Sequence, residues 1–333
     1  MDTDPQSYIL SEDESRAIFE RVIVPAELGA LPPVSSNAAR TPLAVLLTGQ
    51  TGAGKTRTAP ALKSAITQLR GPAPLAHFVA DTYKTYHPRY QALLAAQPSL
   101  ASAAAGPDAR RWLLMAASRA AGRRADVLLE SAVRHPADFA DLARLFRARG
   151  YRVEVAVLAV PAPLSRLGIL ARYHERLPEA GPARGLPVRL TPRRVHDESY
   201  EGLLRAAAFV DAGDAVDQVV VVRRDSAVAY ADERVDGVWR RGAGVARAVR
   251  AERQRPLTPV ERTGTQMCLR RLREMDVPGL ESQLEEIEGL LKPLLVDPDD
   301  EVYAPLRPLS LPTSAHDERF DIEAGLRLGM AEF

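Results

Sequence analysis

Between residues 43 and 222 the chain alternates two kinds of hydrophobic pattern. Short, nearly unbroken apolar runs occur at Leu43-Ala-Val-Leu-Leu47, Leu75-Ala-His-Phe-Val79, Asp126-Val-Leu-Leu-Glu130, Val153-Glu-Val-Ala-Val-Leu-Ala-Val160 and Gln218-Val-Val-Val-Val222. Between them, segments near 57–70, 108–122, 137–149, 163–177 and 192–209 place their apolar residues on one helical face, the second of them following an Ala/Ser/Pro-rich connector. Apolar runs of this length read as strands covered on both faces, and the periodic segments read as the covering helices. The pattern predicts an α/β fold built on a parallel sheet with helices on both faces. Ligands in such sheets bind outside the carboxyl ends of the strands.

The flanks follow other rules. Residues 1–9 carry no periodic pattern and are expected to be disordered, whereas Ser11-Glu-Asp-Glu14 is a capping box that opens a helix through Val24. Past residue 224, Arg223-Arg-Asp-Ser226 suits a hairpin turn into Ala227-Val-Ala-Tyr230. Residues 259–276 and 278–292 read as helices, and a tail bearing Pro298, Pro305, Pro308 and Pro312 leads to a short final helix near 322–330. The reading is an α/β domain over 10–230 and a mainly helical, Pro-rich C-terminal extension over 231–333.

Composition narrows the function classes. A hydrophobic content of 46% supports an ordinary core, and the single cysteine, Cys268, excludes an internal disulfide or a multi-cysteine metal cluster. No apolar run reaches membrane-spanning length, so a soluble, cytoplasmic protein is expected. A net charge of +1 offers no general attraction to nucleic acid or membranes. The arginines of 240–255 read as a solvated helix face, because aromatic partners for bases are scarce.

The first strand runs directly into Gly49-Gln50-Thr51-Gly52-Ala53-Gly54-Lys55-Thr56, a complete Walker A spacing followed by a helix. Glycines let successive backbone N–H groups converge on phosphate oxygens, and the helix that follows adds the positive end of its dipole. In this pattern Lys55 reaches the β- and γ-phosphates and the Thr56 hydroxyl ligates Mg²⁺. The chain contains one asparagine, Asn37, so the Asn-Lys-x-Asp signature that reads guanine is absent and ATP is the expected nucleotide.

Phosphoryl transfer also needs a base and cations around the moving group. Asp81, just past the second strand, can take the proton of an acceptor hydroxyl; it can equally cap the following turn. Glu130 ends the third strand as a Walker B acid would, and Arg134 follows it by four residues. The stretch 163–194 contains Arg166, Arg172, Arg176, Arg184, Arg189, Arg193 and Arg194, broken by glycines and prolines, which suits a mobile lid. The six histidines show no zinc spacing, and no Gly-x-Ser-x-Gly elbow is present.

Taken together these residues resemble the zeta-toxin family of P-loop kinases, over about Leu10 to Tyr230. Leu10–Phe19 with Val24-Pro25 looks like the family's N-terminal helix, and Gly49–Thr56 is similar to its phosphate loop. Asp81-Thr-Tyr-Lys-Thr-Tyr-His87-Pro88 matches its Asp-x5-His-Pro segment, the most specific of the likenesses. The resemblance implies a P-loop NTPase-type fold with Asp81 as general base. It further implies Glu130 and Arg134 on a sugar-nucleotide acceptor, and Arg172 and Arg189 on the ATP phosphates. The implied activity is Mg²⁺-dependent phosphorylation of the 3′-hydroxyl of UDP-N-acetylglucosamine, restrained by a small helical antitoxin. Two departures bear on the acceptor: Ser131-Ala132 replaces the usual Gly-Thr, and Trp112-Leu-Leu-Met115 stands where many relatives carry an acid. A kinase of another acceptor, or a nucleotide-gated interaction protein without turnover, are the rival readings.

Overall fold

Strand β1 (Leu43–Thr48) is buried at every position and is flanked by β3 (Val127–Ser131) and β4 (Arg152–Leu158), both parallel to it. A computed structural model of the chain describes residues 4–31, 40–71, 74–176, 190–295, 306–311, 326 and 328. The sheet has seven strands in the order β2-β3-β1-β4-β5-β6-β7, with β2 spanning Ala76–Val79, β5 Gln218–Val222, β6 Val228–Val235 and β7 Val238–Trp239. The first five strands of that order are parallel. Strands β6 and β7 run antiparallel, after a tight turn in which the Ser226 N–H bonds the Arg223 carbonyl at 3.0 Å. Because the chain leaves β1 toward one side and later returns through β4 on the other, the carboxyl end of β1 is a topological switch point.

Both faces are covered, as the apolar runs require. One face packs α5 (Gly106–Gly122), α6 (Pro136–Ala148), α8 (Arg193–Ala212) and α9 (Val245–Gln254) against the sheet, with the N-terminal helix α1 (Glu12–Ile18) and its π-helical continuation Phe19–Leu28 behind them. The Ser11–Glu14 capping box forms as the spacing requires. The other face packs α2 (Lys55–Arg70), α7 (Ala162–Arg176), α10 (Pro259–Glu274) and α11 (Leu280–Leu291). Leu284 and Ile287 of α11 are almost fully buried there, each stabilising the fold by about 1.5–3 kcal/mol. The C-terminal helices therefore supply part of one hydrophobic core.

Four expectations change. Pro5–Tyr8 is a 3-10 turn capped by the Asp4 carboxylate, not disordered chain, because Tyr8 is buried against Tyr90 and Leu93. The Ala/Ser/Pro-rich stretch before α5 folds into two short helices, Tyr90–Ala96 and Pro98–Ala104. Arg253 on α9 and Arg255 just beyond it are not a solvated face: Arg253 is 4% exposed and the Arg255 side chain, paired with Glu252 and Glu261, is 8% exposed. Of the expected lid over 163–194, the first half is α7, a packed helix; residues 177–189 lie outside the described residues. So does most of the short helix expected near 322–330. No helix among the described residues is long and apolar enough to cross a membrane.

Candidate active site

The turn from β1 into α2 has the shape of a phosphate cradle. Gly52 and Gly54 adopt φ of +82° and +106°, a region closed to most L-residues. Gly52 also lies so close to α7 that a Cβ there would overlap the Ser165 carbonyl oxygen. Helix α2 begins at Lys55 with no side-chain cap and no acid in its first turn, which leaves its positive end for an anion. The fold fits a nucleotide phosphate chain at this point, and Thr56, exposed at the helix start, is open to a metal ion.

Charges from three other elements converge on Lys55. Its ammonium is turned back onto the loop, donating to the Gly49 carbonyl at 2.6 Å and the Gln50 carbonyl at 3.4 Å. Burial pushes its pKa down to about 8, against the pull of the Asp81 and Glu130 carboxylates, while Arg172 pushes it further down. The residue as a whole is only half-buried, but its ammonium sits inside the loop. Lys55, Asp81, Glu130 and Arg172 thus lie within electrostatic reach of one another at the strand ends. Asp81 opens the 3-10 turn Ala80–Tyr86 after β2 and remains 63% exposed, its Oδ1 accepting from Lys84 Nζ at 2.6 Å. Its side chain therefore faces solvent at the edge of the strand ends.

Glu130 is buried, paired with His77 Nε2 of β2 at 2.9 Å. The strand register puts it beside Leu47 of β1 and Val79 of β2, at the same height in the sheet. Beyond it the chain turns sharply through Val133, whose φ of +52° is a true outlier for a β-branched residue. Gly202 of α8 allows this turn, since a Cβ there would strike the Val133 carbonyl. The turn delivers Arg134 to Glu198, which also accepts from Arg194 Nε at 2.6 Å. Next to them His135 is held down to about 4 by burial and by the charges of Arg110 and Arg134. Trp112 is fully buried, and its indole N–H donates to the Ser15 carbonyl at 3.0 Å.

A family model described as Zeta toxin matches residues 32–235, well over half of the chain. The chain belongs to the zeta toxin family. Toxin zeta of Enterococcus hirae is 29% identical over 167 residues, covering 50% of this chain and 55% of that protein. Toxin PezT of Streptococcus pneumoniae is 25% identical over 189 residues, covering 57% of this chain and 71% of that one. The similarity to the Enterococcus hirae protein therefore spans little more than half of its length. A structure from the PezAT chromosomal toxin-antitoxin system of Streptococcus pneumoniae shares the fold. It has a TM-score of 0.60 at 20% identity, over 80% of this chain and 98% of that chain.

Several residues around the loop of this zeta toxin family member escaped the sequence reading. Arg224 donates to the Gly52 carbonyl at 2.7 Å and to the Leu164 carbonyl at 3.1 Å. Ser199 Oγ accepts the Thr51 N–H at 3.2 Å. Arg253 reaches the Gln50 side chain from α9. Two signals pointed to them. Arg224 closely follows the four valines of β5, at the carboxyl end of the parallel strands where the cradle lies, and Arg253 continues the Val245, Val249 face of α9 at a spacing of four. Arg189 lies outside the described residues.

Proposed function

We propose that the chain is an ATP- and Mg²⁺-dependent kinase that phosphorylates a hydroxyl of a UDP-amino sugar, the 3′-hydroxyl of UDP-N-acetylglucosamine in the first instance. The observation that carries this reading is the convergence of Asp81 and Glu130 on Lys55. A phosphate-binding lysine that shares its space with an exposed strand-end carboxylate has the two halves of a transfer site, donor and base.

In this reading the Gly49–Thr56 backbone and the α2 terminus cradle the donor phosphates. Lys55 leaves the Gly49 carbonyl to meet them, and Arg172, with Arg189, neutralises charge that develops on the moving group. Thr56 would hold Mg²⁺, which when bound would supply charge neutralisation. Asp81 accepts the proton of the acceptor hydroxyl, giving up its bond from Lys84 to do so. Glu130, oriented by His77, hydrogen-bonds the amino sugar, and Arg134 stands ready for its anionic part. Residues 10–230 form the catalytic domain and 231–333 a C-terminal extension, of which helices α9, α10 and α11 brace the sheet. The PezAT relative is described as part of a toxin-antitoxin system, which supports a small helical antitoxin as partner here.

The test is incubation with ATP, Mg²⁺ and a panel of UDP-sugars, reading the mass gain of one phosphate. Transfer to UDP-N-acetylglucosamine in preference to other acceptors is the expected result. Tight ATP binding with no acceptor-dependent turnover would instead favour a nucleotide-gated interaction protein.

A further inference from the structure

The phosphate loop is held from outside by a residue of the C-terminal extension. Gln50, the second residue of the loop, is fully buried. Its side-chain N–H₂ donates to the Val160 carbonyl at 2.6 Å and to Ser165 Oγ at 3.3 Å. Its remaining acceptor, Oε1, is taken by Arg253 Nη2 at 3.1 Å. One amide thereby ties the loop to the end of β4, to α7 and to α9.

Arg253 is an unusual residue to find there. It is 4% exposed, yet it makes no ion pair among the described residues. Its partners are neutral: Gln50 Oε1, the Tyr200 carbonyl at 2.8 Å, and the Tyr200 ring, over which its guanidinium lies 3.6 Å from the centroid. Its Nε has no hydrogen-bond partner. Burial pushes its pKa down to about 10, with the Tyr200 and Glu201 charges acting the other way. A buried cation without a hydrogen-bonded counter-ion is costly for stability alone, so its position calls for another return. The contact it makes is with the buried loop side chain that follows Gly49, the same amide that is tied to Val160 and Ser165.

We infer that Arg253 is a positioning residue of the nucleotide site: by holding the Gln50 amide it keeps the phosphate loop open, and it makes helix α9 part of the ATP-binding apparatus. The inference rests on the ATP-binding reading above. Arg253 does not touch the reacting atoms; it acts through Gln50, and that route is what an experiment can follow.

The test measures the Kd for Mg-ATP by calorimetry on the full chain, at a temperature where circular dichroism shows each protein folded. Arg253→Met is expected to raise Kd about tenfold, equivalent to about 1.4 kcal/mol. Gln50→Leu is expected to do the same, and the double variant to be no worse than the poorer single one, because both changes remove a single route. A Kd for Arg253→Met within twofold of wild type, or losses that add in the double variant, would overturn the inference and leave Arg253 a packing residue. Should Arg253→Met not fold, Arg253→Lys carries the test. It keeps the charge but loses the fork, so an approximately threefold loss is expected and an unchanged Kd is fatal to the idea. Failure of the wild-type chain to bind Mg-ATP at all would instead strike the ATP reading itself.

Discussion

Lys55 offers a way to read the loop with a pH meter. Its pKa of about 8 in the free protein lies well below the 10.4 of an unperturbed lysine. Raising the pH from 7 to 9 therefore takes the ammonium from about nine-tenths charged to about one-tenth charged. If only the charged form holds the triphosphate, Kd for Mg-ATP grows by about tenfold across that interval, most of it above pH 8. The nucleotide's own charge is constant there, since phosphate monoester groups finish titrating at about pH 6 to 7. Saturating nucleotide stabilises the ammonium, so kcat stays level while kcat/KM for ATP falls. The sign for stability is opposite. The folded pKa lies below the unfolded one, so the unfolded chain binds more protons between these values and the apoprotein gains stability as pH rises through 8. The assay is a calorimetric or fluorescence titration at pH 7, 8 and 9, with Lys55→Arg as the control whose charge does not titrate in this range. A wild-type Kd that moves by less than twofold, or an equal drift in the arginine variant, would refute the burial of the ammonium inside the loop.

Other outcomes follow from the same geometry. Asp81→Asn should lower transfer by about 10²–10⁴-fold with the Kd for Mg-ATP nearly unchanged, the range expected for loss of a general base; single-turnover phosphate transfer and calorimetry separate the two. Gly52→Ala, which meets both a φ of +82° and the Ser165 carbonyl, should abolish measurable ATP binding and lower Tm in a thermal melt. Arg134→Ala should raise the acceptor KM about tenfold or more without moving the KM for ATP, if Arg134 holds the acceptor as proposed. Leu284→Ala on α11 should cost about 2–5 kcal/mol in denaturant unfolding while the chain still unfolds in one transition, because that side chain belongs to the sheet's own core.

The parallel core of the fold was legible because its strands are covered on both faces and therefore announce themselves as unbroken apolar runs. Val219 to Val222 and Leu43 to Leu47 admit few other readings. The cradle was legible for a related reason: it depends on backbone N–H groups and glycine φ values, which a local spacing encodes. What escaped the reading depends on partners far away in the chain. Nothing near Arg253 says that Gln50 lies opposite, and nothing near Gly202 says that it clears a strained Val133. The Ala-rich segment before α5 resembled a linker because small residues give a weak hydrophobic signal. In the fold, Ala101, Ala104 and Ala105 are fully buried against Tyr8 and Tyr90, where small size permits close packing. His77 looked like one more strand residue until the register of β2 on β3 set it against Glu130.

The bond from Arg253 to Gln50 joins positions 203 residues apart in the chain, and that separation has a meaning in time. Chains are made from the N-terminus at about 5–20 residues per second, so about 10–40 s pass between synthesis of the loop and synthesis of its brace. During that interval the strands around β1 can assemble, but the apolar side of α7 and the amide of Gln50 are without the helices that cover them. The nucleotide site is thus among the last parts of the molecule to reach its final shape. A ribosome that stops short of α9 releases a chain whose loop is present in sequence and unfinished in structure.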